Sequence, residues 1–410
     1  MRRRGAGTAV AGVALLLAVA GCGADGNGRG PEGADASATD GVPHGYVPGA
    51  EEAAEPQHRL VLADPGGGEV RVLDLLTEEV TDVARAEGAE RALTDGRFAY
   101  LAGADGTVRI VDSGAWTVDH GDHAHYYRAG TGPREVGSVS GAGPVAGVFA
   151  GHERVAVTFG DGTVRLLDRP ALEAGEVAEA EGAGTVEAAA GTAAVPYAGH
   201  VLAVAPGSDV VRAYPEEGGG GDAAEAGSCP GARGAAVTPR GVVFGCADGA
   251  LLIAENDGGG DGALAQERIP YPEGTPAPER AGEFAVRPGS ATLAAPAGER
   301  GVWTLDLAER AWTLTETGPV VAAVAVGDGR TLLALGPEGV LRAYDIGSGE
   351  RTAERALGGG AAGIELDTSR AYVNDPEAGR VYEIDYNDGL RVARTFEPGL
   401  APGLMTETGR

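Results

Sequence analysis

The sequence predicts an all-β protein with a β-propeller architecture, and three observations support that prediction. A short strand signature recurs along most of the 410 residues. Its mean spacing is about 44 residues, which is the length of a four-stranded propeller blade. Glycine, with 71 residues, and proline, with 24, are too abundant for a helical bundle, because both interrupt helices. The apolar fraction of 43% is nevertheless large enough to build a sizeable core.

The chain is strongly acidic, which excludes two classes of partner. It has 60 acidic residues and 32 basic residues, all of them Arg, so its formal net charge is -28. Nucleic acid binds to basic patches, and anionic lipid head groups attract basic segments. We therefore expect neither a nucleic-acid partner nor direct binding to an anionic membrane surface.

Residues 1–21 are predicted to be a lipoprotein signal peptide. Arginines at positions 2–4 precede an apolar run over residues 8–20, which is shorter than the roughly 20 residues of a membrane-spanning helix. The segment Val-Ala-Gly-Cys that ends at Cys22 resembles a bacterial lipobox, which implies cleavage before Cys22 and lipidation of its thiol. The alternative is a secreted protein in which Cys22 has no such role. Residues 22–57 have few large apolar side chains and are predicted to be a flexible tether, so that the folded part is extracytoplasmic and held at the cell membrane by lipid.

Eight copies of the strand signature follow the tether. Each is a run of mainly apolar residues that ends in Asp or a substitute, and several follow a turn such as Asp105-Gly106. The eight copies cover residues 69–74, 107–112, 163–168, 210–214, 250–255, 301–306, 340–345 and 380–385. They favour eight blades over residues 58–400, although seven blades with one irregular insertion also fit the spacing.

The two ends of the chain are expected to meet in the propeller. The first signature has too little sequence before it for a whole blade, and residues 391–396 are predicted to supply its missing outer strand. Pairing of the N- and C-terminal strands would close the ring and remove its free edges. Residues 401–410 are then a C-terminal tail. The Ala- and Glu-rich segment 171–190 is the candidate for a short helix, which Gly175 interrupts.

Cys229 and Cys246 are an even pair of cysteines in a chain predicted to be exported, where thiols become oxidised. A disulfide between them would close a loop of about 17 residues and stabilise the fold by about 3 kcal/mol. Two buried free thiols are the alternative.

Histidines form the most informative polar pattern. Three of the seven lie within six residues, at His120, His123 and His125. In an extended segment His123 and His125 share a face, because side chains alternate with a period of two. Imidazole is a common ligand of Zn²⁺, and the carboxylate of Asp119 or Asp122 could join the site as a ligand or orient a ring. A solvated loop without metal is the alternative.

A fourth histidine, His152, is predicted to reach the same ion. It lies in a turn of the following blade, and neighbouring blades present equivalent turns on one face. A surface histidine without a ligand role is the alternative. His200 occupies a similar turn one blade further along and is expected to be a bystander. His44 and His58 lie in the tether and at its end. A mobile histidine there could help to capture metal, although solvated side chains are the default expectation.

Taken together, these motifs resemble the AztD family of zinc metallochaperones, which are encoded with certain bacterial zinc ABC transporters. The resemblance rests on the His-Gly-Asp-His-x-His cluster, the Gly-His-Glu-Arg-Val-Ala-Val segment that begins at Gly151, and Cys229-Pro230 with the Phe-Gly-Cys-Ala-Asp-Gly segment of residues 244–249. It covers roughly residues 58–400. It implies an extracytoplasmic propeller that binds zinc and hands the ion to the transporter's solute-binding protein.

For individual residues, the resemblance implies zinc ligation by His120, His123, His125 and His152, and a disulfide between Cys229 and Cys246. The chain departs from the family pattern at residues 189–191 and 232–234, where Ala, Arg and Gly replace histidines of the family. The His-rich tail of the family is reduced here to two residues. These differences leave the complete ligand set open.

The predicted function is therefore zinc binding and transfer by a monomer without catalytic activity. Affinity is expected to fall below about pH 6, where imidazoles protonate. One alternative is a metal-free scaffold for protein interaction at the cell surface. A less favoured alternative is a secreted hydrolase or lactonase whose zinc activates water. The chain has no nucleophile elbow and no evident Ser-His-Asp set, which argues against the enzyme.

Overall fold

A computed structural model gives the fold of the protein over residues 47, 49–119, 123–182, 184–216, 223–256, 258 and 262–410. The predicted signal peptide, Cys22, and most of the predicted tether lie outside these described residues. Within them the chain forms 34 strands, one short α-helix and one turn of 3₁₀ helix, which agrees with the predicted all-β class. None of the described helices is long and apolar enough to cross a membrane.

The strands are short, as expected for a chain that turns often. Those before residue 230 are β1 (Ala50–Ala53), β2 (Arg59–Ala63), β3 (Glu69–Asp74), β4 (Val80–Arg85), β5 (Ala89–Thr94), β6 (Phe98–Gly103), β7 (Thr107–Asp112), β8 (Ala115–Asp119), β9 (Ala124–Ala129), β10 (Arg134–Ser140), β11 (Val145–Ala150), β12 (Arg154–Phe159), β13 (Val164–Asp168), β14 (Ala194–Tyr197), β15 (His200–Val204), β16 (Val210–Pro215) and β17 (Ala224–Ser228). The helix α1 (Arg169–Ala174) follows β13.

The remaining strands are β18 (Arg233–Thr238), β19 (Gly241–Cys246), β20 (Gly249–Glu255), β21 (Leu264–Pro270), β22 (Ala285–Val286), β23 (Thr292–Pro296), β24 (Val302–Asp306), β25 (Ala311–Thr315), β26 (Ala322–Ala325), β27 (Thr331–Leu335), β28 (Val340–Asp345), β29 (Arg351–Ala356), β30 (Gly363–Leu366), β31 (Ala371–Asp375), β32 (Arg380–Asp385), β33 (Arg391–Phe396) and β34 (Leu404–Thr408). The 3₁₀ turn covers Ala277–Glu279.

Eight of the sheets in the described residues follow one antiparallel plan. In chain order they are sheet 1 (β34-β2-β3-β4), sheet 2 (β5-β6-β7-β10), sheet 3 (β11-β12-β13), sheet 4 (β14-β15-β16-β17), sheet 5 (β18-β19-β20-β21), sheet 6 (β22-β23-β24-β25), sheet 7 (β26-β27-β28-β29) and sheet 8 (β30-β31-β32-β33). A further sheet, called here the side sheet, has the order β1-β9-β8 and lies in the connection between β7 and β10. All eight sequence signatures are strands, and each is the third strand of its sheet.

The turns that precede these third strands have the predicted chemistry. The carboxylate of Asp105 accepts hydrogen bonds from the main-chain N–H of Thr107 at 2.9 Å and from its hydroxyl at 3.0 Å. Asp161 holds Thr163 in the same way. These bonds keep the pKa of both carboxyls below its usual value. Gly106 takes a φ of 81°, a left-handed conformation that favours glycine. The same device therefore begins the third strand in sheets 2 and 3.

Sheet 1 joins the two ends of the chain, but not through the predicted segment. Residues 391–396 form β33, the fourth strand of sheet 8, because they follow β32 directly and pair with it. The strand that sheet 1 lacked comes from β34, which pairs antiparallel with β2 from Arg59↔Thr408 to Ala63↔Leu404. It is the first strand of the sheet rather than the outer one. The tail predicted for residues 401–410 is therefore wrong, since Leu404–Thr408 form a strand whose last three residues are buried.

Part of the segment predicted to be a tether also forms a strand. β1 pairs with β9, with Ala50 opposite Ala129 and Ala53 opposite Tyr126. Its two central residues, Glu51 and Glu52, are exposed, so the composition contains no sign of a buried strand. The edge of a preformed hairpin supplies the hydrogen bonds that order this segment.

Sheet 3 is the irregular member of the series. It has three strands, and its outer edge is bordered by isolated bridges from Leu167 to Glu179 and from Thr163 to Glu187. The helix α1 begins where Asp168 accepts a hydrogen bond from the N–H of Ala171, and it ends at Gly175, whose φ is 93°. The helix predicted within residues 171–190 therefore stops after its first turns.

The core lies between consecutive sheets. Tyr100 of sheet 2 belongs to one apolar cluster with Phe159 of sheet 3, and equivalent clusters join each later sheet to the next. Another cluster joins Leu60 of sheet 1 to Tyr372 and Phe396 of sheet 8, so the last sheet packs on the first. The first strands of most sheets line a common cavity of about 570 Å³.

Candidate functional site

The predicted histidine cluster lies on the hairpin formed by β8 and β9, called here the histidine hairpin. In its register Asp119 is opposite Ala124, and Val118 is opposite His125. The rings of His123 and His125 are adjacent, with centroids 5.0 Å apart and planes nearly perpendicular. The two imidazoles are therefore close together, as the sequence predicted. His120 and Asp122, in the connecting turn, lie outside the described residues.

A carboxylate that was not predicted adjoins this pair. β1 places Glu52 beside β9, and its Oε1 lies 2.7 Å from Nδ1 of His125. Because a carboxylate accepts, Nδ1 of the neutral ring carries the hydrogen, and Nε2 is then the nitrogen with the lone pair that metal ions bind. The His125 side chain is 29% exposed and that of Glu52 51%, so the pair is open to solvent. This arrangement is suited to an ion that must both enter and leave.

The base of the histidine hairpin is rigid and buried. Tyr127 stacks on Trp116 with ring centroids 5.5 Å apart. The guanidinium of Arg97 lies 4.0 Å from the ring centroid of Trp116, on its face, and donates to Asp112 at 2.9 Å. Arg97 and Asp112 are 2% and 1% exposed, respectively, so the ion pair is almost dry. Burial, together with the negative charge of Glu52, raises the pKa of Tyr127. The histidines thus extend from a packed platform.

His152 and Asp119, both predicted site residues, line one cavity of about 510 Å³. His152 comes from the turn between β11 and β12, in the sheet that follows the histidine hairpin. This is the position that the spacing of the blades predicted. Arg169 and Arg410 line the same cavity. The structure therefore brings His152 to the same side as Asp119. A single ion shared by all four predicted histidines stays a prediction, because His120 is not described.

The three remaining histidines do not belong to the histidine hairpin. His200, expected to be a bystander, has its Nδ1 2.9 Å from the carbonyl oxygen of Ala198 in its own turn. His44 lies outside the described residues. His58 is mostly buried and is not part of a tether, because it immediately precedes β2 and its Nδ1 lies 3.0 Å from Oε1 of Glu407.

His58 belongs to a group of potential ligands that the sequence did not predict. One ligand atom from each of His58, Asp367 and Glu407 lies within 4.8 Å of the others. Glu407 is fully buried and Asp367 is 6% exposed. The three residues are separated by hundreds of positions, and only the pairing of β34 with β2 brings them together. No local pattern could have revealed this group, although a carboxylate in an apolar C-terminal strand is a weak signal.

The two remaining cysteines lie at disulfide distance. Their sulfur atoms are 2.03 Å apart and their Cα atoms 5.0 Å apart, with Cys246 at the end of β19. Both cysteines are buried in the core between sheets 4 and 5. The pair therefore links the loop after sheet 4 to sheet 5, as the predicted disulfide requires.

No protein-family model and no curated protein matches this sequence. Solved structures do match its fold. The crystal structure of Citrobacter koseri AztD aligns with a TM-score of 0.67 and 19% identity, over 86% of this chain and 98% of that one. The apo form of the same protein gives 0.68 and 18% over the same shares. Dihydro-heme d1 dehydrogenase NirN, in complex with DHE, gives 0.56 and 17%, over 87% and 76%.

These comparisons establish the fold. The chain has an AztD-type fold, as the resemblance in sequence implied, and that fold is all-β and propeller-like. At 18–19% identity the likeness concerns architecture. The chemistry of the site depends on its own residues and not on the fold alone.

Proposed function

We propose that this protein is an extracytoplasmic zinc carrier, which binds Zn²⁺ at the histidine hairpin and passes it to the solute-binding protein of a zinc ABC transporter. One observation carries the proposal: His123 and His125 are adjacent, and Glu52 occupies Nδ1 of His125. The AztD-type fold also supports the proposal, because the sequence resemblance to the AztD family is what implied zinc transfer.

The ligand set that we propose is His120, His123, His125 and His152, with Asp119 or Asp122 as an oxygen ligand or ring acceptor. The residues suit zinc, which accepts imidazole and carboxylate in four-coordinate sites. Glu52 would keep the ring of His125 in one tautomer. Since the described part of the site is exposed, an incoming ligand from another protein could replace the resident ligands one at a time. Such a stepwise exchange of ligands would pass the zinc ion between the two proteins without releasing it into solution.

We propose that sheets 1–8 are the blades of an eight-bladed propeller, closed by the pairing of β34 with β2. The pattern of apolar clusters supports this arrangement, because each sheet shares a cluster with the next and sheet 8 shares one with sheet 1. Such a ring has few exposed edges and holds its loops at fixed positions, which is what a multi-residue metal site needs.

We further propose that the carrier is a lipoprotein, cleaved before Cys22 and anchored by lipid at the cell membrane. The Cys229–Cys246 pair supports an extracytoplasmic location, because disulfides persist where the environment is oxidising. Mass spectrometry of the protein from membranes tests this point. The expected N-terminal peptide begins at a lipid-modified Cys22, and an unmodified residue there would contradict the anchor.

Zinc binding tests the central proposal. We expect the unmodified protein to compete with a chromophoric chelator for Zn²⁺, and a variant with His120, His123 and His125 all replaced by Ala to bind at least one equivalent fewer per chain in the same assay. His200→Ala is the matched control, because this histidine begins β15 in another sheet and contacts a main-chain carbonyl. Unchanged zinc binding in the triple variant would refute the site.

Transfer requires a second experiment. Zinc-loaded protein is mixed with the apo solute-binding protein of a zinc transporter in the presence of a chelator that traps free ion. Arrival of zinc on the solute-binding protein despite the chelator is expected for direct transfer. We propose a carrier rather than an enzyme, and turnover of ester or lactone substrates by the zinc-loaded protein would contradict that choice.

A further inference from the structure

We infer that His58, Asp367 and Glu407 form a second site for a divalent transition-metal ion, at the point where the two ends of the chain meet. This inference does not depend on the histidine hairpin, because the two groups share no residue. It assigns the ion a different role, which is to hold β34 in sheet 1.

The geometry of the three side chains carries the inference. Their ligand atoms lie within 4.8 Å of one another, close enough to contact one ion. Nδ1 of His58 and Oε1 of Glu407 are 3.0 Å apart. Both atoms are buried, and apart from this ion pair neither has a hydrogen bond to any group in the described residues. Two buried polar atoms with no partner besides each other, and a third ligand atom close by, could contact one shared cation.

Burial and charge support the same interpretation. Glu407 has no exposed surface, and a buried carboxylate needs a cation or several donors. Arg410 supplies one cation, with NH1 3.1 Å from Oε2 of Glu407 and 3.4 Å from Oε2 of Glu365. That ion pair uses the other oxygen of Glu407 and leaves Oε1 towards His58. The proposed ligands Asp367 and Glu407 carry two negative charges beside the single positive charge of Arg410, so a bound cation would offset the excess.

The ligand types indicate the class of metal. One imidazole and two carboxylates suit Zn²⁺, and they also suit Mn²⁺ or Fe²⁺. Sulfur is absent from the group, so Cu⁺ is a poor candidate. His58 keeps 24% of its side chain exposed, which provides a path by which the ion can enter from solvent.

The positions of the ligands determine what the ion would do. His58 precedes β2, Asp367 follows β30 and Glu407 lies in β34, so the ion would connect sheet 1 with sheet 8 through both chain ends. A ligand that binds only the folded protein stabilises it by mass action. Zinc should therefore raise the temperature of unfolding, even when the hairpin site cannot bind.

Thermal unfolding of a variant that lacks the hairpin ligands tests the inference. In His123→Ala/His125→Ala, added Zn²⁺ is expected to raise the unfolding temperature and to bind at one equivalent per chain. Adding His58→Gln to this variant is expected to abolish both effects, whereas adding His200→Gln is expected to leave them. Loss of zinc stabilisation in the double variant itself would overturn the inference without touching the proposed carrier function.

Anomalous diffraction keeps the inference testable if His58→Gln fails to fold. Crystals of the unmodified protein, soaked in Zn²⁺ and measured at the zinc edge, are expected to show an ion between His58, Asp367 and Glu407. Anomalous signal confined to the histidine hairpin at saturating zinc would reject the second site and support the first.

Discussion

The hydroxyl of Thr117 donates a hydrogen bond of 2.9 Å to the main-chain carbonyl of Gly409, 292 residues further along the chain. Thr117 lies in β8 of the histidine hairpin, and Gly409 immediately follows β34. Nearby, the N–H of Gly409 donates to the carbonyl of Gly96 at 2.7 Å. The hairpin that bears the predicted zinc ligands is thereby fastened to the strand that completes sheet 1.

Removing that hydroxyl should loosen the attachment. Thr117→Val keeps the shape of the side chain but leaves the Gly409 carbonyl without this donor. We expect the free energy of unfolding to fall by about 1 kcal/mol, as measured by urea denaturation. Thr117→Ser keeps the hydroxyl and should lose much less. A loss in Thr117→Ser with none in Thr117→Val would mean that the methyl group, and not the hydrogen bond, is what matters.

Glu52 should control zinc affinity through the ring of His125. Glu52→Gln replaces a charged acceptor with a neutral one, so the Nδ1 hydrogen is held less firmly and Nε2 becomes a weaker ligand. We expect zinc affinity at the hairpin to fall by about 10-fold or more, as measured by chelator competition.

Glu51→Gln is the matched control for this change. Glu51 is the neighbouring residue of β1 and pairs with Arg128 at 3.0 Å instead of with a histidine. Glu51→Gln removes the same charge as Glu52→Gln. An equal loss of zinc affinity in the two variants would therefore show that net charge, and not the ring of His125, causes the effect.

The ion pair beneath the hairpin should be costly to break. Arg97→Met leaves the buried carboxylate of Asp112 with only the more distant guanidinium of Arg134, 4.0 Å away, at a cost of about 3 kcal/mol in the free energy of unfolding. Arg165→Met breaks the pair with Glu179, whose side chains are 43% and 62% exposed, and should cost less than about 1 kcal/mol. Urea denaturation of both variants measures the difference, and similar losses would contradict the argument from burial.

Glu365 should make stability depend on pH. Burial raises its pKa to about 7. The positive charge of Arg410 lowers the pKa and the negative charge of Glu407 raises it, but burial has the largest effect. Since the pKa is higher in the folded protein than in the unfolded chain, the folded state retains a proton that the unfolded state has released. This contribution to stability is present in full at acidic pH and is lost as the pH rises through about 7.

The corresponding variant is Glu365→Gln, which cannot ionise. We expect it to raise the unfolding temperature at pH 8 and to leave it nearly unchanged at pH 5. Glu299→Gln, at an exposed position, should have no such dependence. An equal effect of Glu365→Gln at both pH values would show that ionisation of this residue does not affect folding.

The disulfide should contribute to stability in proportion to the loop that it closes. Its cysteines are 17 residues apart, which corresponds to about 3 kcal/mol. We expect Cys229→Ala/Cys246→Ala to unfold at a lower urea concentration under oxidising conditions. With strong reductant present, the unmodified protein should move towards the variant. Identical midpoints without reductant would indicate that the thiols are free in solution.

The sequence predicted the repeated part of the fold because the repeat is local. Each signature ends in a polar residue after apolar positions, and turns such as Asp105-Gly106 contain their own hydrogen-bond acceptors. β34 was missed because its partner is far away in sequence. Leu404–Thr408 alternates weakly and follows Pro402 and Gly403, which are typical of a tail.

The same distinction applies to the candidate sites. His123 and His125 are two positions apart, so their proximity followed from strand geometry alone. Glu52 could not be assigned to His125, because 73 residues separate them and β1 has no buried face. The group around His58 depends on the same long-range pairing as β34, which leaves no trace in any short segment.

The pairing of β2 with β34 also affects how the protein is made. The ribosome synthesises Arg59–Ala63 early, whereas the strand that completes its sheet is added nearly at the end of translation. At about 5–20 residues per second, the interval is on the order of tens of seconds. During that time the edge of β2 that pairs with β34 has no partner strand, so sheet 1 can be completed only after nearly the whole chain has been made.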